Sequence, residues 1–148
     1  MPLRGEYAPG TAGWARRQAE RFEESGGTKA ATIGSRPVVV ITSVGAVTGS
    51  LRKTALMRVE RAGEYAVVAS NGGSARDPAW VSNLRREPHV ELQDGAEKRD
   101  FRAHLATGRE RREWWDRAVK VWPSYAGFQK RTKREIPVFV LEPLARGS

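Results

Sequence analysis

Residues 38–44, VVVITSV, are β-branched almost throughout. Such side chains are stiff at χ1 and pack well on a pleated surface. An uninterrupted apolar run bounded by turn residues, here Gly34-Ser35-Arg36-Pro37 and GAVTGS, reads as a buried strand. LRKTALMRVE follows, with Leu51, Ala55, Met57 and Val59 on one face and Lys53 among them, and Arg52, Thr54, Leu56 and Arg58 on the other. RAGE is a tight turn into YAVVAS, a third strand of an antiparallel meander. HVELQ, the turn DG and EKRDFRAHLAT make a second hairpin, with Val90 and Leu92 facing one way and Phe101, Ala103 and Leu105 doing the same on the return. IPVFVLEP closes the chain as a last buried strand.

Four segments carry helical signals. Thr11 can cap a helix over about 12–25, where Trp14, Ala15, Ala19 and Phe22 share a side and Gly26-Gly27 is the stop. Asp77 and Pro78 stand where an N-cap and first helical residue belong, ahead of Trp80, Val81 and Leu84, and Pro88 ends that segment. Thr107 with Glu110 reads as a capping box for a helix through Trp114, Trp115, Ala118, Val119 and Trp122, broken by Pro123 before a short helix SYAGFQKRT. About six mostly antiparallel strands with three or four outer helices, dominated by hairpins and lacking βαβ alternation, predict a small α+β barrel with helices packed outside.

At 148 residues, one domain is expected over 1–148, with an N-terminal helical arm at about 11–26. With no cysteine, disulfides, thiolate catalysis and cysteine-ligated metals are excluded. No run approaches a membrane span, so the expected setting is cytoplasmic, with a peripheral membrane contact through the first helix as a further expectation. The net charge of +9 favours an anionic partner: nucleic acid, an acidic membrane surface, or a small polyanionic cofactor.

Much chemistry is ruled out by spacing. No G-x-G-x-x-G follows a strand, and GAVTGS lacks the G-K-[ST] of a phosphate loop. His89 and His104 lack metal-ligand spacing, and no G-x-S-x-G elbow is present, so no metal is expected. Carboxylates are scattered among arginines. An enzyme built from this chain would take its reactive atom from a cofactor. The groups left to hold one are Arg52, Lys53 and Thr54, then Ser70 and Asn71 before Gly72-Gly73, then Trp80 and Asn83 on the next helix. A glycine pair permits close backbone approach, cations suit a phosphate, and a flat heteroaromatic ring with an acidic tail would use them all. The same residues also read as a core tryptophan, an ordinary turn and solvated cations.

The run TSVGAVTGSLRKTALMRVERAGEYAVVASNGGSARDPAWVSNLRREPHVELQDG, together with WPSYAGFQKRTKREIPVFVLEP, resembles the deazaflavin (F420)-dependent nitroreductase family from about Trp14 to Leu144. That family carries ordered blocks of the form G-x-K-[ST]-G-K-x-R-x-T-P-L, V-A-S-x-G-G, P-x-W-Y-x-N and Y-x-x-[YF]-Q. The resemblance implies a split β-barrel of the FMN-binding type and coenzyme F420, with FMN as the alternative. It implies a cofactor-binding set of Gly49, Arg52, Lys53, Thr54, Val68, Ala69, Ser70, Asn71, Gly72, Gly73, Trp80 and Asn83. Trp122, Tyr125 and Phe128 would face substrate, and Ser70 and Tyr125 would be the catalytic hydroxyls.

The chain departs from the pattern at Val47 and Ser50, where lysines are usual, at Ala55 in place of proline, and at Val81 in place of tyrosine. The expected activity is hydride transfer from reduced deazaflavin to an electron-poor small molecule: a quinone, an enone or a nitro compound. The substituted lysines motivate a different expectation, a non-catalytic carrier of F420 or of another anionic amphiphile such as a fatty acid. Lys130, Arg131, Lys133 and Arg134 motivate a nucleic-acid binder, which the core-like aromatic positions oppose, so no nucleic-acid partner is expected.

Overall fold

A computed structural model describes residues 13–29, 31–33 and 36–144, with the side chains of 13–16 left aside. Thr11 and the Trp14 ring, both invoked for the first helix, lie outside the described set. The element order is α1 (Gly13–Glu24), β1 (Thr32–Ile33), β2 (Arg36–Val44), β3 (Leu51–Met57), β4 (Val59–Arg61), β5 (Glu64–Val68), α2 (Trp80–Arg86), β6 (His89–Asp94), β7 (Glu97–Leu105), α3 (Gly108–Val121), α4 (Ser124–Arg131) and β8 (Val138–Pro143).

All strand pairings are antiparallel, in the order β1-β2-β6-β7-β8-β5-β4, and β3 also pairs with β2. The predicted second strand is two: β3 and β4 are separated by Arg58, whose N–H still donates to the Pro37 carbonyl at 3.0 Å. Because β3 lies on β2 and β4 lies on β5, this one bent strand links the two ends of the path. The curled sheet is a split barrel. The six expected strands become eight through that bend and the two-residue β1.

Alternation along the strands sorts the core in two. Val39, Ile41, Val67, Val90, Leu92, Phe101, Phe139 and Leu141 come from β2, β5, β6, β7 and β8 and pack together with Trp80, Val81 and Leu84 of α2. Val38, Val40, Ala55, Met57, Val59, Val68 and Val140 face the other way, under α1, α3 and α4. Both faces of β2 are covered, which is why its sequence is a continuous apolar run. Leu105, expected beside Ala103, is 43% exposed at the end of β7.

The first helix, α1, packs on β2 and β3, with Ala19 and Phe22 fully buried. It ends as expected at Gly26 and Gly27 (φ +65° and +85°), where the Gly27 N–H donates to the Phe22 carbonyl at 2.8 Å. Thr107 does precede α3, but no side-chain cap forms, and the Glu110 carboxylate binds the His104 ring at 2.8 Å instead. Among the described residues no helix is long and apolar enough to cross a membrane.

Candidate functional site

Where β5 ends, the chain leaves the sheet through a left-handed turn. Asn71, Gly72 and Gly73 have φ of +46°, +64° and +82°. The Gly73 N–H donates to the Ser70 carbonyl (2.9 Å) and the Ser74 N–H to the Asn71 carbonyl (3.1 Å). The glycine pair is expected to make room for a flat ring, and the two glycines differ. A Cβ on Gly73 would stand 3.0 Å from the Phe128 carbonyl oxygen and 3.1 Å from the Arg131 Cβ, so its bare backbone admits α4. A Cβ on Gly72 would meet nothing within 4 Å. Only Gly72 leaves open space.

Asp77 does not cap α2, which starts at Trp80 with Ala79 as N-cap and no side-chain cap bond. Its carboxylate is taken by Arg134 Nη1 at 2.8 Å. That guanidinium also donates from Nη1 to the Ala69 carbonyl (3.1 Å), from Nη2 to Ser70 (2.8 Å) and from Nε to Ser74 (2.9 Å). By sequence, Arg134 belongs with Lys130, Arg131 and Lys133 in the basic cluster that motivates a nucleic-acid partner. Its side chain is 16% exposed and turned inward. Four basic residues within a span of five carry no periodicity that could single out the inward one.

The α2 side of the barrel gathers Arg52, Thr54, Trp80 and Asn83. The register pairs Ser43 with Arg52 and Ile41 with Thr54, which sets those four on one face. Asn83, 8% exposed, accepts from the Ala46 N–H at 2.9 Å and donates to Ser43 Oγ at 3.4 Å. It therefore pins the β2–β3 loop, in which Gly49 (φ +76°) donates to the Gly45 carbonyl and the Val47 side chain is 97% exposed. Trp80 is 6% exposed, its ring edge-on to Phe139 at 6.0 Å, so the ring is packed in the core. Lys53 was grouped with Arg52 and Thr54, but strand alternation turns it to the opposite face, where it is paired with Glu23 of α1. A single ligand on one face would not reach all three.

The α4 side gathers aromatics. Val68 is buried in β5, and Ala69 follows it with its N–H on the Pro137 carbonyl at 2.9 Å. Tyr125 is 4% exposed, with Trp115 at 6.3 Å and Phe128 at 6.4 Å between ring centroids. Burial pushes its phenol well above the usual tyrosine range, so it stays protonated at any physiological pH. No hydrogen bond joins its hydroxyl to another described residue. Trp122, half-buried at the end of α3, lies under the Arg36 guanidinium at 5.2 Å. Arg131 lies over the Phe128 ring at 5.7 Å, at the rim of the Gly73 turn. The turn and α4 thus form two adjoining walls, one of backbone amides and one of aromatic rings with a neutral phenol. Among the described residues no cluster of His, Asp and Glu could hold a metal.

Comparison with known proteins agrees with this architecture. The family model described as F420H(2)-dependent quinone reductase matches residues 14–143. An F420H(2)-dependent quinone reductase of Mycobacterium tuberculosis H37Rv is 32% identical over 111 residues, 73% of this chain and 74% of that protein. Another relative from the same strain, named for the same activity, is 39% identical over 77 residues, 52% of this chain and 65% of its own length. A solved F420H2-dependent reductase is 45% identical, covers 72% of this chain and 95% of that one, and superposes with a TM-score of 0.69. These are oxidoreductases, so a reductase reading is favoured over a carrier. With the split barrel and the match over nearly its whole length, the chain belongs to the F420H(2)-dependent quinone reductase family.

Proposed function

We propose that this protein reduces a quinone with F420H2 where the Asn71–Gly73 turn meets α4, and that Tyr125 hydrogen-bonds the acceptor. The observation that carries this reading is Tyr125: its ring is buried against Trp115 and Phe128, and its neutral hydroxyl is bonded to no other described residue.

The residues present fit the coenzyme. Open space at Gly72 and the left-handed turn admit a flat ring edge, and the exposed Lys130, Arg131 and Lys133 suit an anionic tail. When bound, reduced F420 supplies the hydride. The protein's task is to hold the acceptor carbon at about 3–3.5 Å from the hydride and to stabilise the oxygen on which charge collects. Tyr125 would serve the second task, Phe128 and Trp122 would wall the acceptor, and Ser70 would be the second hydroxyl, on the turn side. Hydride converts a quinone into the hydroquinone monoanion, and one proton from solvent completes the hydroquinone. Asn83 acts indirectly, by holding the loop that carries Gly49.

A fluorescence titration with F420 at low and high salt, with FMN in parallel, tests the coenzyme. Menadione added to the F420H2-loaded protein tests the acceptor. The reading expects saturable, salt-weakened F420 binding and recovery of oxidised-coenzyme fluorescence on adding menadione. Binding of FMN alone, or no oxidation by any quinone, would overturn it.

A further inference from the structure

Arg134 spans the segment 69–77 in a way no other described side chain does. Its three guanidinium nitrogens make four hydrogen bonds of 2.8–3.1 Å, to the Ala69, Ser70 and Ser74 carbonyls and the Asp77 carboxylate. These bonds bracket a turn whose own two backbone bonds close only residues 70–74, and in which three consecutive residues are left-handed, one of them Asn71. A non-glycine residue at positive φ persists only where its surroundings over-determine it.

The opposite end of the same link is anchored in α4. Gln129, the residue after Phe128, donates Nε2 to the Arg134 carbonyl at 2.8 Å and accepts from the Ile136 N–H at 3.0 Å. One amide thus ties α4 to the Arg134 backbone, and one guanidinium ties that backbone to the turn. Both walls of the site are joined through this bridge.

We infer that Arg134, seated by Gln129, is the positioning residue of the reaction: it sets the distance between the coenzyme-facing turn and an acceptor held at Tyr125. This rests on the F420 reading above. Lysine could keep the charge partner Asp77, but a single nitrogen cannot reach three carbonyls as well. The Arg134 guanidinium spends its donors on the turn and on Asp77, so its loss should disturb alignment more than it disturbs occupancy.

The test compares wild type with Arg134→Lys, Arg134→Ala and Gln129→Ala. Hydrogen exchange by mass spectrometry, in protein without coenzyme, follows a peptide covering 69–79 against the β6–β7 hairpin as internal control. F420 affinity is read by fluorescence titration, and hydride transfer by single-turnover mixing of F420H2-loaded protein with saturating menadione. In both Arg134 variants the 69–79 peptide should exchange faster while the hairpin keeps its protection, and in Gln129→Ala the increase should be smaller. Because an ångström of misplacement is worth up to about a hundredfold, single-turnover rates should fall about tenfold or more. In Gln129→Ala, which leaves the guanidinium bonds to the turn in place, F420 affinity should stay close to wild type. Added guanidinium ion should restore part of the Arg134→Ala rate, and Arg134→Lys should restore little.

A folded variant with wild-type loop exchange and single-turnover rate would overturn the inference. So would equal loss of protection in loop and hairpin, which marks a merely structural contribution. If Arg134 variants fail to fold, Gln129→Ala decides alone. If wild-type protein neither binds F420 nor oxidises F420H2, the functional reading falls and the coenzyme-positioning role falls with it, even where loop exchange still responds to Arg134→Lys.

Discussion

Gly27 and Gly95 are in backbone contact: a Cβ added to Gly27 would lie 2.2 Å from the Gly95 carbonyl oxygen. Gly27 follows α1 and Gly95 turns the β6–β7 hairpin, so this contact seats the first helix against the barrel. Glu23 adds ion pairs to Lys53 on β3 and to Lys98 on β7, the latter at 3.7 Å. Replacing Gly27 by alanine forces the helix end off the hairpin and also strains a φ of +85°. The expected loss is about 2–4 kcal/mol, read by chemical denaturation, with Gly26→Ala, which meets nothing within 4 Å, costing less.

Tyr125→Phe removes one oxygen from the α4 wall and leaves the ring packing with Trp115 and Phe128 in place. Quinone turnover should fall by about tenfold to a thousandfold, the range for losing one donor to a developing oxyanion, while F420 affinity stays nearly unchanged. Equal loss of both would remove Tyr125 from the acceptor side. The folded protein should also melt at a temperature close to wild type or higher, because the deleted hydroxyl had no partner among the described residues.

Two phenols that the fold keeps protonated add to the loss of stability at alkaline pH. Tyr65 is pushed well up, first by burial and then by its hydrogen bond to the Asp94 carboxylate at 2.5 Å; Tyr125 is pushed up by burial. Both hold their protons more tightly folded than unfolded. Their contribution is therefore complete below about pH 10, where the unfolded phenols begin to ionise, and declines as the pH rises further. Denaturation midpoints measured from neutral pH upward should fall above that point. The slope should be shallower in Tyr65→Phe and in Tyr125→Phe, each of which removes one titrating group.

The neighbouring glycines of the turn should respond unequally to alanine. Both substitutions strain a left-handed φ, at a cost of about 1 kcal/mol or more. Gly73→Ala also drives a methyl to 3.0 Å from the Phe128 backbone oxygen, which cannot move without shifting α4. Gly73→Ala should thus be the less stable variant by thermal melting, and Gly72→Ala should show the larger relative loss of F420 binding, since only its side chain enters open space.

Asn83→Ala cuts the loop bond to Ala46 and the contact with Ser43. An unpaired N–H and a lost buried amide predict about 1–3 kcal/mol of destabilisation. Exchange of the 45–50 loop amides should rise at the same time. Asn83→Asp keeps the acceptor for Ala46 and should protect that loop better than alanine does.

Much of this molecule is local in origin and so was legible from residues alone. The β-branched run of β2, the Ala62-Gly63 turn with both φ positive, the Gly26-Gly27 stop and the Pro88 and Pro123 breaks each act within a few residues. Those features, with hairpins in place of βαβ units, specify the barrel class, and the ordered blocks around Arg52, Gly72, Trp80 and Tyr125 point to the family. What only the tertiary structure decided is which neighbour each polar or glycine residue meets. Asp77 had a cap's position but met Arg134; Lys53 had the right charge but faced α1; Gly73 had the freedom of a ligand turn but was filled by α4. Partners that lie 30 to 65 residues away, as for Lys53 with Glu23 and Arg134 with Ala69, leave no periodic trace in the chain, because they are chosen by how the sheet closes and the helices dock.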